Sequence, residues 1–321
     1  MRVPQRHIRV RVRRASDDGQ SSEEITVNDD PLAVQLDVSL QTTMSISPDA
    51  NQASVMISNL AKDRRQKLAG VVARSLDIGV ADIDTPVTFR ITDLGDGVNA
   101  QSVWDSGDSY VEIDAGYDSS AARVFQGSTQ FARNYKSGPT WVTEMQIGDG
   151  LSTMMTGVVA RTFAPGASAF EVVDHMRRVM GLGVGNVTNA NLSSLFRGAK
   201  TTFPFGWTAF GDAKFMMSEV LTPFNIEWFV DRGEMFVVRK NEALPQEPAT
   251  VDFASGLLTT PEPIEQNRLR IRTILRPDIR ICRRVIVSGV EFAGTYRSEV
   301  VTHSATNRLG GAITEVILSP L

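Results

Sequence analysis

Cysteine is almost missing from this chain: Cys282 is the single one in 321 residues. That excludes an intrachain disulfide framework and suits folding in a reducing cytosol. Histidine is nearly as scarce. His7, His175 and His303 lie far apart, and none has the H-x-x-x-H type of spacing that holds a metal, so all three are expected at the surface or in an interface. Aromatic residues make up 7% of the sequence and fall mostly within strand patterns, which argues against the exposed aromatic row of a carbohydrate-binding face. No apolar run approaches the roughly 20 residues that cross a bilayer. The basic N-terminus is not followed by the apolar segment of a signal peptide, and no membrane anchor is expected. The net charge of −4 gives no general pull toward nucleic acid.

Catalytic signatures are missing as well. There is no G-x-S-x-G elbow. Glu144, Glu171 and Glu227 are available carboxylates, yet none has a partner at the recognisable spacing that acid–base hydrolysis requires. The run "GLGVGN" (residues 181–186) has the glycines of a phosphate loop but follows a helical pattern and lacks the Lys-Ser/Thr ending. It reads as a helix C-cap entering a flexible loop. "DLGDGVN" (residues 93–99) has part of a calcium loop but no Glu at the twelfth position. Cys282 has arginine neighbours that could lower a thiol pKa, but no Cys-His signature accompanies it, and alternation makes it an ordinary strand residue. No catalytic residue, cofactor site or metal site is assigned, and the chain is expected not to be an enzyme.

What is present is mainly a strand pattern. "HIRVRVRR" (residues 7–14) alternates Ile8, Val10 and Val12 with Arg9, Arg11 and Arg13, a strand with one apolar and one basic face. The basic face is expected to be solvated or to meet acidic surface of a neighbouring molecule, because no aromatics interleave it as in a nucleic-acid groove. Residues 15–31 are polar and acidic and read as a mobile loop. Strand signals resume over residues 32–60, and Leu60 to Leu68 reads as two helical turns with Ser58 or Asn59 as cap. Further strands occupy residues 86–147, with Gly116, Gly127, Gly138 and Gly148 at or near their turns. The pattern then changes. "SAFEVVDHMRRVMG" carries a capping box, Ser168 to Glu171, an apolar side of Phe170, Val173, Met176 and Met180, and Gly181 as a stop. A second helix is capped by Asp212 and ends before Pro223, and a hairpin turning at Asp231 to Glu234 follows. After the linker-like "NEALPQEPAT", strands return to the end. The expected organisation is mainly β with an α+β module: two antiparallel β-barrel domains at 1–150 and 251–321, flanking an α+β domain at 151–250.

The stretch "NQASVMISNLAKDRRQKL", followed by "VEIDAGY", "RVFQGSTQFARNY" and "WVTEMQIGDG", resembles the first part of bacteriophage tail hub proteins. That family includes the baseplate hub of contractile tails and the late control protein D group. The matching positions are Asn59-Leu60, Ala115-Gly116-Tyr117, a Phe-x-Gly turn at Phe125-Gln126-Gly127, and Asp149-Gly150. Residues 168–240 look like the family's peripheral module, and the segments from "FASGLLTTPEP" onward like its second barrel. Two departures stand out. Ile281-Cys282 lies where a glycine is usual, and residues 70–108 exceed the usual link, so an insertion is expected there.

The resemblance implies a homotrimeric ring of pseudo-sixfold symmetry that joins a sixfold tail tube to a threefold central spike and continues the DNA channel. Its implied partners are tail tube protein, spike protein, tape measure protein and other baseplate proteins. DNA is met only in transit, without stable nucleic-acid binding, and the site is the tail of the virion, assembled in the bacterial host cytoplasm. A lumen that lets DNA pass should be neutral or acidic, because Lys and Arg contacts to phosphates would hold it. The alternative from another functional class is a cell-wall glycan-binding or glycan-cleaving tail-tip protein.

Overall fold

The computed structural model describes residues 6–15, 22–30, 33–49, 51–68, 109–117, 121–149, 157–196, 202–308 and 310–321. Seven strands come first: β1 (Arg6–Ala15), β2 (Ser22–Val27), β3 (Val38–Ser45), β4 (Gln52–Ser58), β5 (Ser109–Tyr117), β6 (Ala122–Ser137) and β7 (Thr140–Gly148). Period-2 burial explains them. Ile8, Val10 and Val12 of β1 point into the core, as do Val38, Leu40 and Met44 of β3 and Ala53, Val55 and Ile57 of β4. The acidic stretch expected to be a mobile loop contains β2, which pairs antiparallel with β1 and buries Ile25 and Val27. The backbone ladder to β1, two inward apolar residues and the Arg13–Glu24 pair at 3.2 Å place this polar sequence in the sheet.

After β4 comes a seven-residue helix, α1, over residues 62–68. Leu60 and Leu68 are buried as expected, and the helix starts at residue 62, three positions beyond Asn59. Asn59 sits in the left-handed region (φ 57°) and exchanges hydrogen bonds with Trp141: its N–H donates to the Trp141 carbonyl, and its side-chain oxygen accepts from the Trp141 N–H. It therefore ties the end of β4 to the start of β7. Gly127 also differs from expectation. It lies inside β6, not in a turn, because a Cβ there would meet the Gly148 carbonyl oxygen at 2.3 Å. The residues expected to form an insertion, 70–108, lie outside the described ones.

The α+β module packs β8 (Val158–Phe163), β9 (Ala167–Ser168), β10 (Thr202–Phe203) and β11 (Trp207–Asp212) around three helices. In α2 (Ala169–Val179) the Ser168 side chain accepts from the Glu171 N–H, and Val172, Val173 and Met176 are buried. In α3 (Asn189–Leu195) Thr188 plays the same capping part for Asn191, and in α4 (Ala213–Leu221) Asp212 accepts from the N–H groups of Lys214 and Phe215. The hairpin of β12 (Ile226–Asp231) and β13 (Glu234–Arg239) turns through Arg232 and Gly233, both at positive φ (58° and 73°), as a tight two-residue hairpin turn demands. It is buried on both faces. Trp228, Val230, Met235 and Val237 join the module's own core, while Phe229 and Val238 join the core of the large sheet.

The chain ends with β14 (Ala249–Val251), β15 (Glu262–Ile264), β16 (Arg268–Ile274), β17 (Arg284–Val287), β18 (Gly294–Thr306) and β19 (Ala312–Pro320). These do not form a sheet of their own. The path runs β15-β16-β19-β18-β3-β4-β7-β6-β5-β1-β2, with β14 and β17 attached beside β18. Every pairing is antiparallel except β14 with β17. The expectation of two closed barrels is thus corrected: among the described residues no sheet closes on itself, and the N- and C-terminal strands share one sheet through the β3–β18 pairing, where Thr43 lies opposite Thr302. Period-2 patterning specifies strands and their buried faces, but not where a sheet ends.

Candidate assembly surfaces

The joint between module and sheet is polar at its centre. Asp149, at the end of β7, is 2% exposed, and its carboxylate accepts from the backbone N–H groups of Arg232 and Gly233 in the hairpin turn. Burial and the neighbouring Asp231 charge push its pKa up to about 7. The Asn51 amide donates to the Val230 carbonyl at 2.7 Å, and Gln126 donates to the Arg232 carbonyl at 2.9 Å. From the C-terminal region, Arg280, between β16 and β17, forms an ion pair with Asp231, and Arg297 of β18, 3% exposed, pairs with Glu227 at 2.8 Å and Glu299 at 3.1 Å. Burial lowers the Arg232 pKa to about 10, assisted by the nearby Arg280 charge. The module is thereby held to both halves of the large sheet by paired, hydrogen-bonded charges.

The arginine stripe of β1 is also resolved within the chain. Arg9 and Arg11 reach Asp114 of β5 at 2.7 and 3.1 Å, and Arg123 of β6 joins Asp114 and Glu112 at 2.6 Å each. Burial raises the Asp114 pKa, but the hydrogen bonds from Arg123 and Arg9 outweigh it and hold the carboxyl below its usual range. The acidic partner expected from a neighbouring molecule is therefore this chain's own β5. Sequence reading missed it because the strands are about a hundred positions apart.

Opposite the core, the large sheet presents an open face. Its outward residues are Gln52, Ser54, Met56 and Ser58 on β4, and Ser39, Gln41, Thr43 and Ser45 on β3. On β18 they are Val300, Thr302, Ser304 and Thr306. The registers Gln41↔Ser54 and Thr302↔Thr43 make these one continuous surface. None of these side chains is charged. Among the described residues charges stand at its flanks in ion pairs: Arg133 with Glu144 at 2.7 Å on one side, and on the other Arg272 and Arg270 around Glu315 at 2.8 and 3.6 Å, with Arg268 near Glu299 at 3.8 Å.

Several residues singled out in the sequence stand differently in the structure. His175 is partly exposed beside Phe163, but His7 is 5% exposed and His303 is fully buried, so the surface reading fails for these two. His303 lies in a row with Thr42, Thr314 and Thr273 across β3, β18, β19 and β16, all inaccessible to solvent. Its Nδ1 is 2.9 Å from the Thr314 hydroxyl, and burial lowers its pKa to about 4. Cys282 is not a strand residue. It occupies a turn at φ 58°, buried, and burial raises its thiol to about 11 despite the Arg297 charge.

Residues 181–186 are docked, not loose. The Gly183 N–H donates to the Gly233 carbonyl at 2.7 Å, the Met235 N–H donates to the Gly183 carbonyl at 3.0 Å, and the Asn186 side chain bonds both backbone groups of Val237 at 2.8 Å. The signal was there in the glycines: a Cβ on Gly185 would meet the Met235 oxygen at 2.1 Å. Glu144, Glu171 and Glu227 sit on separate elements, each in an ion pair with an arginine. The "DLGDGVN" run lies outside the described residues.

No family model and no curated protein sequence matches the chain. Solved structures do match it. The 43 kDa tail protein of prophage MuSo2 from Shewanella oneidensis aligns over 99% of this chain and 97% of its own, with TM-score 0.57 and 8% identity. A tail protein from Neisseria meningitidis aligns over 97% and 96%, with TM-score 0.53 and 9% identity. A type VI secretion system component of Escherichia coli, described as structurally similar to two T4 bacteriophage tail proteins, aligns over 90% and 76%, with TM-score 0.54 and 8% identity. The chain therefore has the fold of phage tail proteins, over nearly its whole length.

Proposed function

We propose that this protein is the structural hub of a phage tail baseplate: a homotrimeric ring between the sixfold tail tube and the threefold central spike, whose lumen continues the DNA channel. The observation that carries this reading is whole-length likeness to tail proteins in both directions of coverage, module included. The open face supports it. A surface of Ser, Thr and Gln with Met56 and Val300, carrying no charge of its own and flanked by arginines held in ion pairs, gives phosphates little to hold, so DNA in transit slides past it. On this reading β3, β4 and β18 face the lumen, while the α+β module lies outside the ring. Its arginines are engaged within the module: Arg177 and Arg178 with Asp174, and Arg239 with the Leu195 carbonyl. The protein acts in the tail of the virion, in contact with tube, spike, tape measure and other baseplate proteins, after assembly in the host cytoplasm. It has no catalytic role.

Native mass measurement of the purified chain tests the ring, with a trimer expected. A map of the assembled tail tests the placement. Six copies in the ring, or residues 168–240 pointing at the threefold axis, would overturn the proposal.

A further inference from the structure

Between β16 and β17 the run "RPDIRICRR" (residues 276–284) brings four arginines around Cys282. Its second half is a rigid turn pinned on Ser298 of β18. The Cys282 N–H donates to the Ser298 carbonyl at 2.8 Å, the Arg283 N–H to the Ser298 hydroxyl at 3.0 Å, and the Ser298 N–H to the Arg283 carbonyl at 3.0 Å. Opposite it stands the β12–β13 turn, where Arg232 is held at positive φ and its carbonyl accepts from Gln126. Two fixed turns, one from the α+β module and one from the C-terminal region, thus aim arginines at the same joint.

Some of these cations are answered and some are not. Arg276 is held by both oxygens of Asp278, at 2.8 and 2.6 Å, and Arg280 pairs with Asp231. Arg232 Nη2 donates to the Arg123 carbonyl at 2.7 Å, but its guanidinium meets no carboxylate among the described residues. The Arg283 guanidinium has neither a hydrogen bond nor an ion pair among them. Both side chains are partly buried, and burial, then the Arg280 charge, lowers the pKa of each, that of Arg232 to about 10. The other charges facing the joint are already committed. Arg123 is engaged by Glu112 and Asp114, and Asp149, raised to about 7, accepts from the turn N–H groups. The undescribed residues that follow Asp149, 150–156, contain no Asp or Glu. Arg232, Arg280 and Arg283 against Asp231 leave two positive charges without a counter-ion, a costly arrangement away from bulk water.

We infer that Arg232, Arg280 and Arg283 form a binding site for a small doubly charged oxyanion of the sulfate or phosphate class, which ties the hairpin turn of the α+β module to the turn between β16 and β17. A tetrahedral dianion accepts from more than one guanidinium fork at once and balances both surplus charges. A phosphodiester of DNA has a single charge per phosphate and arrives on a wide duplex, which suits partly buried arginines in a joint less well. The bound ion fastens the module to the sheet, beside the Asp149 contact. The site stands independently of the trimeric ring.

Calorimetric titration with sodium sulfate, at an ionic strength held constant with chloride, should show one saturable site per chain. The thermal unfolding temperature should rise with sulfate as the site fills. Arg283→Gln removes a side chain that bonds nothing within the described chain. It should therefore fold, unfold at the same temperature or higher without sulfate, and bind sulfate at least about tenfold more weakly. Arg284→Gln, at the exposed neighbouring position, should bind as the unaltered chain does. Binding that survives Arg283→Gln, or that falls equally in Arg284→Gln, overturns the inference, as does an unaltered chain that takes up no sulfate. Short duplex DNA that competes with sulfate and loses its binding in Arg283→Gln would assign the arginines to nucleic acid and overturn the small-anion site.

Discussion

Asp149 and His303 are buried ionisable side chains whose linkage to pH has opposite sign. The Asp149 pKa is raised to about 7 by burial and by Asp231. Its stabilising contribution is therefore complete below the ordinary carboxylate value and lost as pH rises through about 7. The His303 pKa is lowered to about 4 by burial, so its contribution is complete above the ordinary histidine value and lost as pH falls toward 4. Between about pH 4.5 and 7 the two offset each other. Urea unfolding across that window should show a shallow slope for the unaltered chain. Asp149→Asn should unmask a fall in stability toward acid, and His303→Gln a rise, each on the order of 2–3 kcal/mol across the window. Parallel slopes in all three proteins would mean that neither group titrates differently on folding. Asp149→Asn should also weaken the joint above about pH 7, where Asp149 is ionised and accepts from both turn N–H groups while an amide has one acceptor oxygen.

At the scale of elements, close approach and capping decide what each segment tolerates. Gly127 lets β6 lie against the Gly148 carbonyl, and Gly185 lets the segment after α2 lie against Met235. Gly127→Ala and Gly185→Ala should each cost about 1–3 kcal/mol by forcing backbone apart, more for Gly185, whose φ is +51°. Thermal unfolding measures both. Leu60 and Leu68 seat α1 against the sheet core, at 3% and 4% exposure. Replacing either with Asp should cost about 4 kcal/mol or more, as a lost apolar contact joined to an unpaired buried charge. Soluble Leu60→Asp protein that still assembles would show that α1 is peripheral.

For the whole molecule, the property of consequence is the missing charge on the face made by β4, β3 and β18. Placing arginines there, Gln41→Arg with Thr43→Arg and Thr302→Arg, should leave the fold intact, since all three side chains point away from the core. If the chain assembles into the proposed ring, the arginine variant should then bind duplex DNA with an affinity that falls steeply with salt, whereas the unaltered assembly should bind weakly at any salt. Filter binding across a salt series reads this directly. Unchanged DNA binding by the arginine variant would place that face away from the lumen.

Local signals by themselves determined β1, β3 to β7, the β12–β13 hairpin with its turn at Arg232-Gly233, β16 to β19, the capped helices α2 and α4, and the burial of Leu60 and Leu68. Each depends on residues a few positions apart: alternation, an N-cap, a turn pair. Sequence also carried the likeness to tail hubs, in short motifs whose meaning is now structural. Asp149 accepts from the hairpin turn, Gly127 allows two strands to touch, and Asn59 ties β4 to β7. Tertiary structure alone decided the rest. It recruited the acidic stretch into β2, buried His7 and His303, put Cys282 in a turn, matched the β1 arginines with Asp114 and Glu112, and fused the two β regions into one unclosed sheet. These depend on which distant strands become neighbours, as Thr43 and Thr302 do, and period-2 patterning marks the buried face of a strand without naming the strand that lies beside it.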